Sequence, residues 1–258
     1  MQEENEKKET QDQDDDQKES IRQIELSKTA WMTYIPKFLS QTQADALFEE
    51  LLACEQWEHR AIIVAQKEIL QPRLMSWAGD LPYRYTGQTL EPRQMSETLK
   101  NLCEMVEKQC GTQFNHIVLN YYRDGKDHIG MHADDEQELG WNPTIAAISL
   151  GDSRSFVVEP KSRKIKKRPF RINLKHASLL IMGGDIQHRY RHGVPKNQSE
   201  KPRINVTFRY LQGPPGTQRP PHPYMKTHQE ALNQDEQEVL NQDGQDEQDG
   251  QDSSNQSN

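Results

Sequence analysis

The order of apolar and polar positions along the chain predicts helices in its first part and strands in its second. Ser40 and Gln43 form a capping-box pattern, and apolar positions keep helical spacing after them, over residues 47–52. A second helix is predicted over residues 96–110, with Gly111 as its stop. From Phe114 onward, short apolar runs separated by turn residues predict strands. These strands are expected at residues 117–122, 144–150, 155–159, 170–174, 178–182 and 203–211.

Helices followed by strands favour an α+β fold in which a β-sandwich or jelly roll forms the main sheet structure. The folded domain is expected to cover residues 29–212. Residues 1–28 are acidic, and residues 213–258 begin rich in Pro and Gly and continue rich in Gln and Asp. Sequence of this kind buries too little apolar surface to offset its ordering entropy, so both ends are predicted to be disordered acidic tails.

The charge of the chain changes this picture, because it is unevenly distributed. The formal net charge is −8, but residues 1–19 carry −6 and residues 229–258 carry −9, which leaves +7 on the part between them. The overall negative charge therefore comes from the two acidic tails, and the body of the chain between them is basic. A basic body permits a polyanionic partner such as nucleic acid, without proving one.

The chain shows no signal for a membrane or for secretion. Its best apolar run, at residues 178–182, is strand-sized and far below the roughly 18 residues that a membrane helix needs. The acidic N-terminus lacks the apolar segment of a secretory signal. Cys103 and Cys110 would lie about 10.5 Å apart along a helix, beyond disulfide reach. We expect a monomeric intracellular protein with reduced thiols, nuclear in a eukaryote and otherwise cytoplasmic.

The first candidate for chemistry is the pair His132-x-Asp134. In an extended segment residues i and i+2 point to one side, so an imidazole and a carboxylate can reach one cation. A third ligand can return from His188 or His192, which both follow the predicted strand at residues 178–182. Two histidines and a carboxylate are the ligand set of non-haem Fe(II) oxygenases, although the ligands alone also permit zinc.

A second candidate is the strictly alternating segment at residues 203–209. It puts polar side chains on one strand face and Ile204, Val206 and Phe208 on the other. The polar face either turns to water or lines a barrel interior, where guanidinium groups grip a carboxylate through two hydrogen bonds. Asn120 and Tyr122 likewise share a face of an apolar strand, and a dicarboxylate that chelates the metal explains both sets. The polar residues of the alternating segment are Arg203, Asn205, Thr207 and Arg209.

Four separated segments resemble, in the same order, the AlkB family of Fe(II)- and 2-oxoglutarate-dependent nucleic-acid dealkylases. They are residues 119–136, 145–151, 187–195 and 202–209, and the resemblance covers roughly residues 35–211. It is strongest to the branch that repairs alkylated bases in DNA. The resemblance implies a double-stranded β-helix (jelly-roll) core with flanking N-terminal helices and a nucleotide-recognition lid.

The resemblance also implies roles for individual residues. Fe(II) would be held by His132, Asp134 and His188, with His192 as a neighbour in the motif. Arg203 and Arg209 would bind the carboxylates of the co-substrate 2-oxoglutarate, and O2 would complete the reaction. Further contacts to 2-oxoglutarate would come from Asn120, Tyr122, Asn205 and Thr207.

Residues 72–80 and 83–87 resemble the lid of that family. Tyr85 would stack on a flipped base, while Tyr83, Arg73 and Asp135 would contact its edge or the backbone. An acid suits this position because N1-methyladenine and N3-methylcytosine are cationic. A base must leave the paired stack before its methyl group can be reached.

Two features near the substrate side depart from that pattern or add to it. Ala65 and Gln66 stand where relatives that act on duplexes carry an aromatic wedge, so we expect a preference for single-stranded DNA or RNA. Residues 160–168 form a densely basic loop, which either is a solvated hairpin tip or contacts phosphate.

Three functions remain open at this stage. The preferred one is an oxidative demethylase of N-alkylated bases in nucleic acid, acting in DNA repair. The same iron chemistry can instead act on RNA, a protein side chain or a small molecule, and the third function is a catalytically silent nucleic-acid-binding module. Decarboxylation of 2-oxoglutarate in the presence of methylated oligonucleotides separates the three.

Overall fold

The computed structural model describes residues 20–64, 67–85, 88–165 and 167–213. The described part contains three α-helices, a 3-10 turn and fifteen strands. The helices are α1 (Gln41–Cys54), α2 (Glu97–Cys110) and the short α3 (Ile186–Arg189), and the 3-10 turn is Gln137–Leu139. The strands are β1 (Arg22–Glu25), β2 (Ala30–Ile35), β3 (Ala61–Val64), β4 (Lys67–Leu70), β5 (Leu74–Gly79), β6 (Tyr83–Tyr85), β7 (Gln88–Leu90), β8 (His116–Tyr122), β9 (Ile129–His132), β10 (Ile145–Gly151), β11 (Arg154–Pro160), β12 (Phe170–Leu174), β13 (Ser178–Gly184), β14 (Tyr190–Val194) and β15 (Arg203–Arg209).

Two antiparallel sheets form the body of the domain. The major sheet has the order β1-β2-β13-β10-β15-β8-β5, and the minor sheet has the order β12-β11-β14-β9. One buried cluster contains side chains of both sheets, such as Met182 and Tyr122 from the major sheet and Phe156 and Val194 from the minor one. The two sheets therefore face each other across a shared core, which confirms the predicted jelly roll.

The two long helices cover the outer face of the major sheet. Ser40 and Gln43 make the predicted capping box at the start of α1, and Gly111 ends α2 with a positive φ of 62°. Phe48 and Leu51 of α1 and Leu102 of α2 are buried in one cluster with the outward side chains of the sheet. The sheet is thus buried on both faces, and its inner face is available for a site.

The domain begins before residue 29, which was the first residue of the domain predicted from the sequence. Strand β1, Arg22–Glu25, pairs with β2 at the edge of the major sheet. Ile24 packs against the core between the sheets, and Leu26 is buried. This short segment is polar at three of its four positions, so its composition resembled the acidic tail. Tails were predicted at residues 1–28 and 213–258, and most of both, residues 1–19 and 214–258, lies outside the described residues.

Two small hairpins stand apart from the main sheets, in the region predicted to be the lid. Strands β3 and β4 form one hairpin, and β6 and β7 form the other. The side chain of Gln88 connects them, because it accepts hydrogen bonds from Arg60 and donates one to the carbonyl of Ala61. The segment at residues 72–80, also predicted as lid, is instead largely β5, the edge strand of the major sheet.

Candidate metal and co-substrate site

Three potential metal ligands meet on strands β9 and β14 of the minor sheet and just beyond the end of β9. His132 ends β9 and pairs directly with His192 of β14, while Asp134 follows β9 by two residues. The ligand atoms of the three side chains lie within 4.8 Å of one another, and this is the one such group in the described part of the chain. The Nε2 of His192 is 3.5 Å from Oδ2 of Asp134, and the two imidazole rings are 4.5 Å apart.

The structure corrects the third position of the predicted ligand set. His188 does not join the group, and His192, which was expected only as a neighbour, takes its place. The physical reason is that residues 186–189 form the helical turn α3, so the chain reaches β9 only in the following strand β14. The ring of His188 instead stacks on Trp141, with centroids 4.0 Å apart.

Neighbouring groups keep His132 in the neutral form that can bind a cation, and they position His192. The Nδ1 of His132 lies 2.9 Å from the carbonyl of Gly130, which fixes a proton there and leaves Nε2 as the ligand atom. Burial, together with the charge of His192, lowers the pKa of His132 to about 4, so the ring is neutral near pH 7. Phe156 also stacks on His192, with ring centroids 5.2 Å apart.

Asp134 is buried yet ionised. Burial by itself raises its pKa, but the charge of Arg209 and the hydrogen bond from His192 hold that pKa well below its usual range. Arg209 donates from Nη2 to Oδ1 of Asp134 at 2.7 Å, and the Asp134 amide donates to Oε1 of Gln187 at 3.0 Å. Two imidazoles and one fixed carboxylate form the donor set that suits Fe(II).

The predicted arginine face of β15 points into the domain, not to water. Arg203 is fully buried and Arg209 is 4% exposed. Nη2 of Arg203 donates to the hydroxyl of Ser149, and Nη2 of Arg209 to Asp134, but the Nε and Nη1 atoms of both are buried without a hydrogen-bond partner. Buried guanidinium N–H groups that lack partners are costly, and a dicarboxylate such as 2-oxoglutarate would satisfy them.

The neighbouring strand β8 completes this face. Tyr122 pairs with Arg203 and Asn120 pairs with Asn205 across the β8–β15 ladder, so all four share one side of the sheet. The ring of Tyr122 lies 5.2 Å from the guanidinium carbon of Arg203. Thr207 is also buried on this side, two residues from Arg209. The structure therefore brings the residues predicted for 2-oxoglutarate to one wall.

Two of these side chains already have partners inside the protein. Asn120 accepts a hydrogen bond of 2.6 Å from Nε of Arg73, and Asn205 donates to the carbonyl of Ile148 at 3.0 Å. Arg73 was predicted to contact substrate, but it is buried and positions Asn120.

Sequence reasoning missed Ser149 and Arg154. Arg154 is 1% exposed, and it donates to the carbonyls of Asp124, Asp127 and Pro195. Its guanidinium carbon lies 5.4 Å from the Tyr122 ring. The guanidinium group therefore adds a second buried positive charge beside Arg203. The position of Arg154 at the start of an apolar strand could have indicated a buried functional arginine. The sequence around Ser149 in β10 gives no comparable indication.

The acid beside the metal group is Glu136, and the substrate contact predicted for Asp135 stays a prediction. Asp135 is exposed and pairs with Nζ of Lys161 at 2.7 Å. Burial, together with the charge of Asp134, raises the pKa of Glu136 to about 6, and Arg209 and a hydrogen bond with Tyr83 act against this rise. The difference arises because the chain leaves β9 and enters the 3-10 turn, where strand alternation no longer decides which side chain points inward.

Tyr83 and Tyr85 are the first and last residues of β6, in the region predicted to be the lid. Tyr83 is fully buried, and its ring lies 5.0 Å from His116 and 5.8 Å from the guanidinium carbon of Arg209. The backbone of Tyr85 pairs with Gln88 in the β6–β7 hairpin, and its stacking role stays a prediction. Ala65 and Gln66, the predicted site of the missing wedge, lie outside the described residues.

Comparison with known proteins agrees with this geometry. Residues 31–209 match the family model of the 2OG-Fe(II) oxygenase superfamily. Over 203 residues the chain is 36% identical to alpha-ketoglutarate-dependent dioxygenase alkB homolog 3 of Bos taurus, which covers 75% of this chain and 71% of that protein. It is 34% identical over 182 residues to DNA oxidative demethylase ALKBH2 of Homo sapiens, which covers 66% of this chain and 70% of that protein. The solved structure of OsALKBH1 superposes with a TM-score of 0.52 at 14% identity over 73% of this chain and 100% of that one, so it supports the fold.

The chain therefore belongs to the 2OG-Fe(II) oxygenase superfamily, and it is a dioxygenase that uses Fe(II), 2-oxoglutarate and O2. Within that superfamily it is a member of the AlkB family. No helix in the described part of the chain is long and apolar enough to cross a membrane.

Proposed function

We propose that the protein is an oxidative demethylase of N-alkylated bases in nucleic acid, of the N1-methyladenine and N3-methylcytosine type, and that it serves DNA repair. Two groups of relatives support this proposal by their names, a DNA oxidative demethylase and alkB homolog 3, at 34% and 36% identity. The basic body, with +7 between the acidic ends, suits a polyanionic substrate.

When Fe(II) and 2-oxoglutarate are bound, they supply the oxidation by O2 of the N-methyl group, which leaves as formaldehyde while 2-oxoglutarate becomes succinate and CO2. His132, Asp134 and His192 would hold the metal, and Arg203 and Arg209 would hold the two carboxylates. Arg209 has a second task, because its hydrogen bond to Asp134 keeps that carboxylate charged and oriented.

The observation that carries the base specificity is the placement of Glu136. Its carboxyl interacts with Tyr83, Arg209 and Asp134, so it lies beside the metal group at the end of the lid. A base that is methylated at N1 of adenine or N3 of cytosine carries a positive charge, and a partly buried carboxylate attracts such a ring more than a neutral one. Glu136 would then recognise the substrate by charge, the role that the sequence assigned to Asp135.

A comparison of charged and neutral methylated bases tests this proposal. Mass spectrometry of the product measures the loss of a methyl group from oligonucleotides that carry N1-methyladenine or N6-methyladenine. We expect turnover of the cationic base, and Glu136→Gln should lower its kcat/KM about tenfold, the factor that 1.4 kcal/mol provides. Asp135→Asn should change it less than threefold, because that acid is exposed and paired with Lys161. Absence of methyl loss from every oligonucleotide would remove the proposal.

The proposal includes a preference for single strands. A duplex-acting enzyme must unpair its target at a cost of a few kcal/mol, and an aromatic wedge stabilises the gap. Ala65 and Gln66 offer no aromatic face at the turn where such a wedge is expected. In a single strand the base is already unpaired, so no wedge is required.

A further inference from the structure

One exposed aromatic residue at the edge of the candidate site has no task in the chemistry described above. Trp141 is 80% exposed, more than any other large hydrophobic residue in the described part of the chain. One face of its ring stacks on His188, with centroids 4.0 Å apart and planes inclined by 26°. Nε2 of His188 is buried and has no hydrogen-bond partner in the described part of the chain, so the stack with Trp141 contributes to holding this ring in place. The pair presents a flat aromatic face to solvent.

The pair stands next to the metal group. His188 follows Gln187, whose side chain accepts the hydrogen bond from the amide of Asp134 at 3.0 Å. Trp141 lies in the connection from β9 to β10, the same connection that contains Asp134 and Glu136. Both halves of the platform are therefore anchored within a few residues of the groups that would hold the iron and the base.

A basic segment of the chain is attached to the same edge. The amide of Lys161 donates to the carbonyl of Arg189 at 2.8 Å, and Nζ of Lys161 binds Asp135 at 2.7 Å. These two contacts hold Lys161, near the start of the basic loop (residues 160–168, of which residue 166 lies outside the described residues), against α3 and against the connection that carries Trp141. Arg163 and Lys164, which follow in this loop, are exposed.

We propose that Trp141 and His188 form a stacking platform for a nucleobase next to the target base, with Arg163 and Lys164 of the basic loop contacting the phosphates of the same strand. This inference rests on the proposed function and extends it to the bound strand. A nucleotide strand matches both halves of the surface, because each base has a π-face and each linkage a negative charge. An apolar protein surface matches only the tryptophan and offers no negative charge to the exposed Arg163 and Lys164.

Binding measured apart from turnover tests the platform. Fluorescence anisotropy of labelled, unmethylated single-stranded DNA, with Fe(II) and without 2-oxoglutarate, gives the Kd for strands of three and ten nucleotides. Trp141→Ala should weaken binding of the ten-nucleotide strand about tenfold, and Trp141→Phe should restore most of that loss because a phenyl ring also stacks. Met105→Ala is the matched control, since Met105 is 40% exposed but lies on α2, on the outer side of the major sheet.

The basic loop gives a second, independent readout. The double variant Arg163→Gln with Lys164→Gln should reduce the slope of log Kd against log salt, because fewer counterions are released on binding. Trp141→Ala should leave that slope close to the value of the unmodified protein. A fall in the Trp141→Ala slope equal to that of the double variant would contradict the division into a base contact and phosphate contacts.

The outcomes separate this inference from the function on which it rests. If the protein demethylates oligonucleotides but Trp141→Ala binds the long strand as tightly as the unmodified protein, the platform is refuted and the function stands. If binding depends on Trp141 but no methyl group is lost from any substrate, the platform stands and the demethylase proposal fails. Equal losses in Trp141→Phe and Trp141→Ala would also refute the platform, since stacking would then not be the interaction lost.

Discussion

His192 lies directly opposite His132 in the ladder between β14 and β9, and their rings are 4.5 Å apart. Asp134 reaches both from the end of β9. Two neighbouring strands of the minor sheet thus supply the two histidines, and the connection that follows β9 supplies the carboxylate. Arg209 of β15 contacts Asp134, so the arginine side of β15 lies next to the ligand set, and this side would bind 2-oxoglutarate.

The assignment of His192 leads to a direct comparison of two variants. We expect His192→Ala to lower the affinity for a divalent metal at least about 100-fold, because one of three protein ligands is lost. His188→Ala should retain metal affinity within about threefold, since its ring stacks on Trp141 outside the group. Titration with Co(II), followed by its visible absorption, measures both affinities. Strong metal binding by His192→Ala together with its loss in His188→Ala would restore the original ligand set.

Arg209→Lys tests the co-substrate wall. Lysine keeps the positive charge but loses the planar arrangement of N–H donors. In Arg209 two of these donor atoms, Nε and Nη1, are buried without a hydrogen-bond partner. One charge-assisted hydrogen bond contributes about 1.5–3 kcal/mol, so the KM for 2-oxoglutarate should rise at least roughly tenfold. Arg171→Lys on the exposed face of β12 serves as the control. A KM in Arg209→Lys equal to that of the unmodified protein would show that this arginine does not bind the co-substrate.

Much of this site could be predicted from local pattern. The alternation in β15 predicted its polar face, and the structure buries that face completely at Arg203. The pair His132 and Asp134 followed from strand geometry at a spacing of two residues. Both signals are local, because they depend on which side of one strand a side chain points to.

The rest depended on contacts between distant segments. His188 and His192 follow the same strand β13, and only the register of β14 against β9 decides which of them meets His132. No pattern within residues 186–194 encodes that register. The position of Glu136, rather than Asp135, beside the metal group has a similar origin. The path of the chain after β9 decides which of the two acids faces the metal group. Ser149 becomes a partner of Arg203 only through the pairing of β10 with β15.

The missing wedge predicts a difference between substrates. Methyl removal from a single-stranded oligonucleotide should be at least roughly tenfold faster than from the matched duplex, since only the duplex requires unpairing. Ala65→Phe should narrow this gap, because base–aromatic stacking is worth about 1–3 kcal/mol. Rates measured on strands of equal sequence decide the matter. Equal rates on both in the unmodified protein would show that another residue fills the vacated position.

His116 predicts how stability depends on pH. Burial, and then the charge of Arg209, lowers its pKa from 6.5 to about 3, so the folded protein keeps the ring neutral. The unfolded chain takes up a proton below pH 6.5, and stability is therefore lost as the pH falls from 6.5 toward 3, by up to about 1.4 kcal/mol per pH unit. Urea unfolding at pH 7, 6 and 5 should show a shallower pH dependence in His116→Gln. Identical slopes in the two proteins would contradict the neutral, buried state of this histidine.

The central claim is that the oxidation of 2-oxoglutarate at this site is coupled to the removal of a methyl group from a base. The most direct test incubates the protein with Fe(II), 2-oxoglutarate, O2 and a single-stranded oligonucleotide that contains one N1-methyladenine, and quantifies succinate and formaldehyde together. The account predicts equal amounts of both products, matched by the amount of unmethylated adenine formed, and loss of all three in Asp134→Ala. Succinate formed at the same rate with methylated and unmethylated oligonucleotides, without formaldehyde, would contradict it.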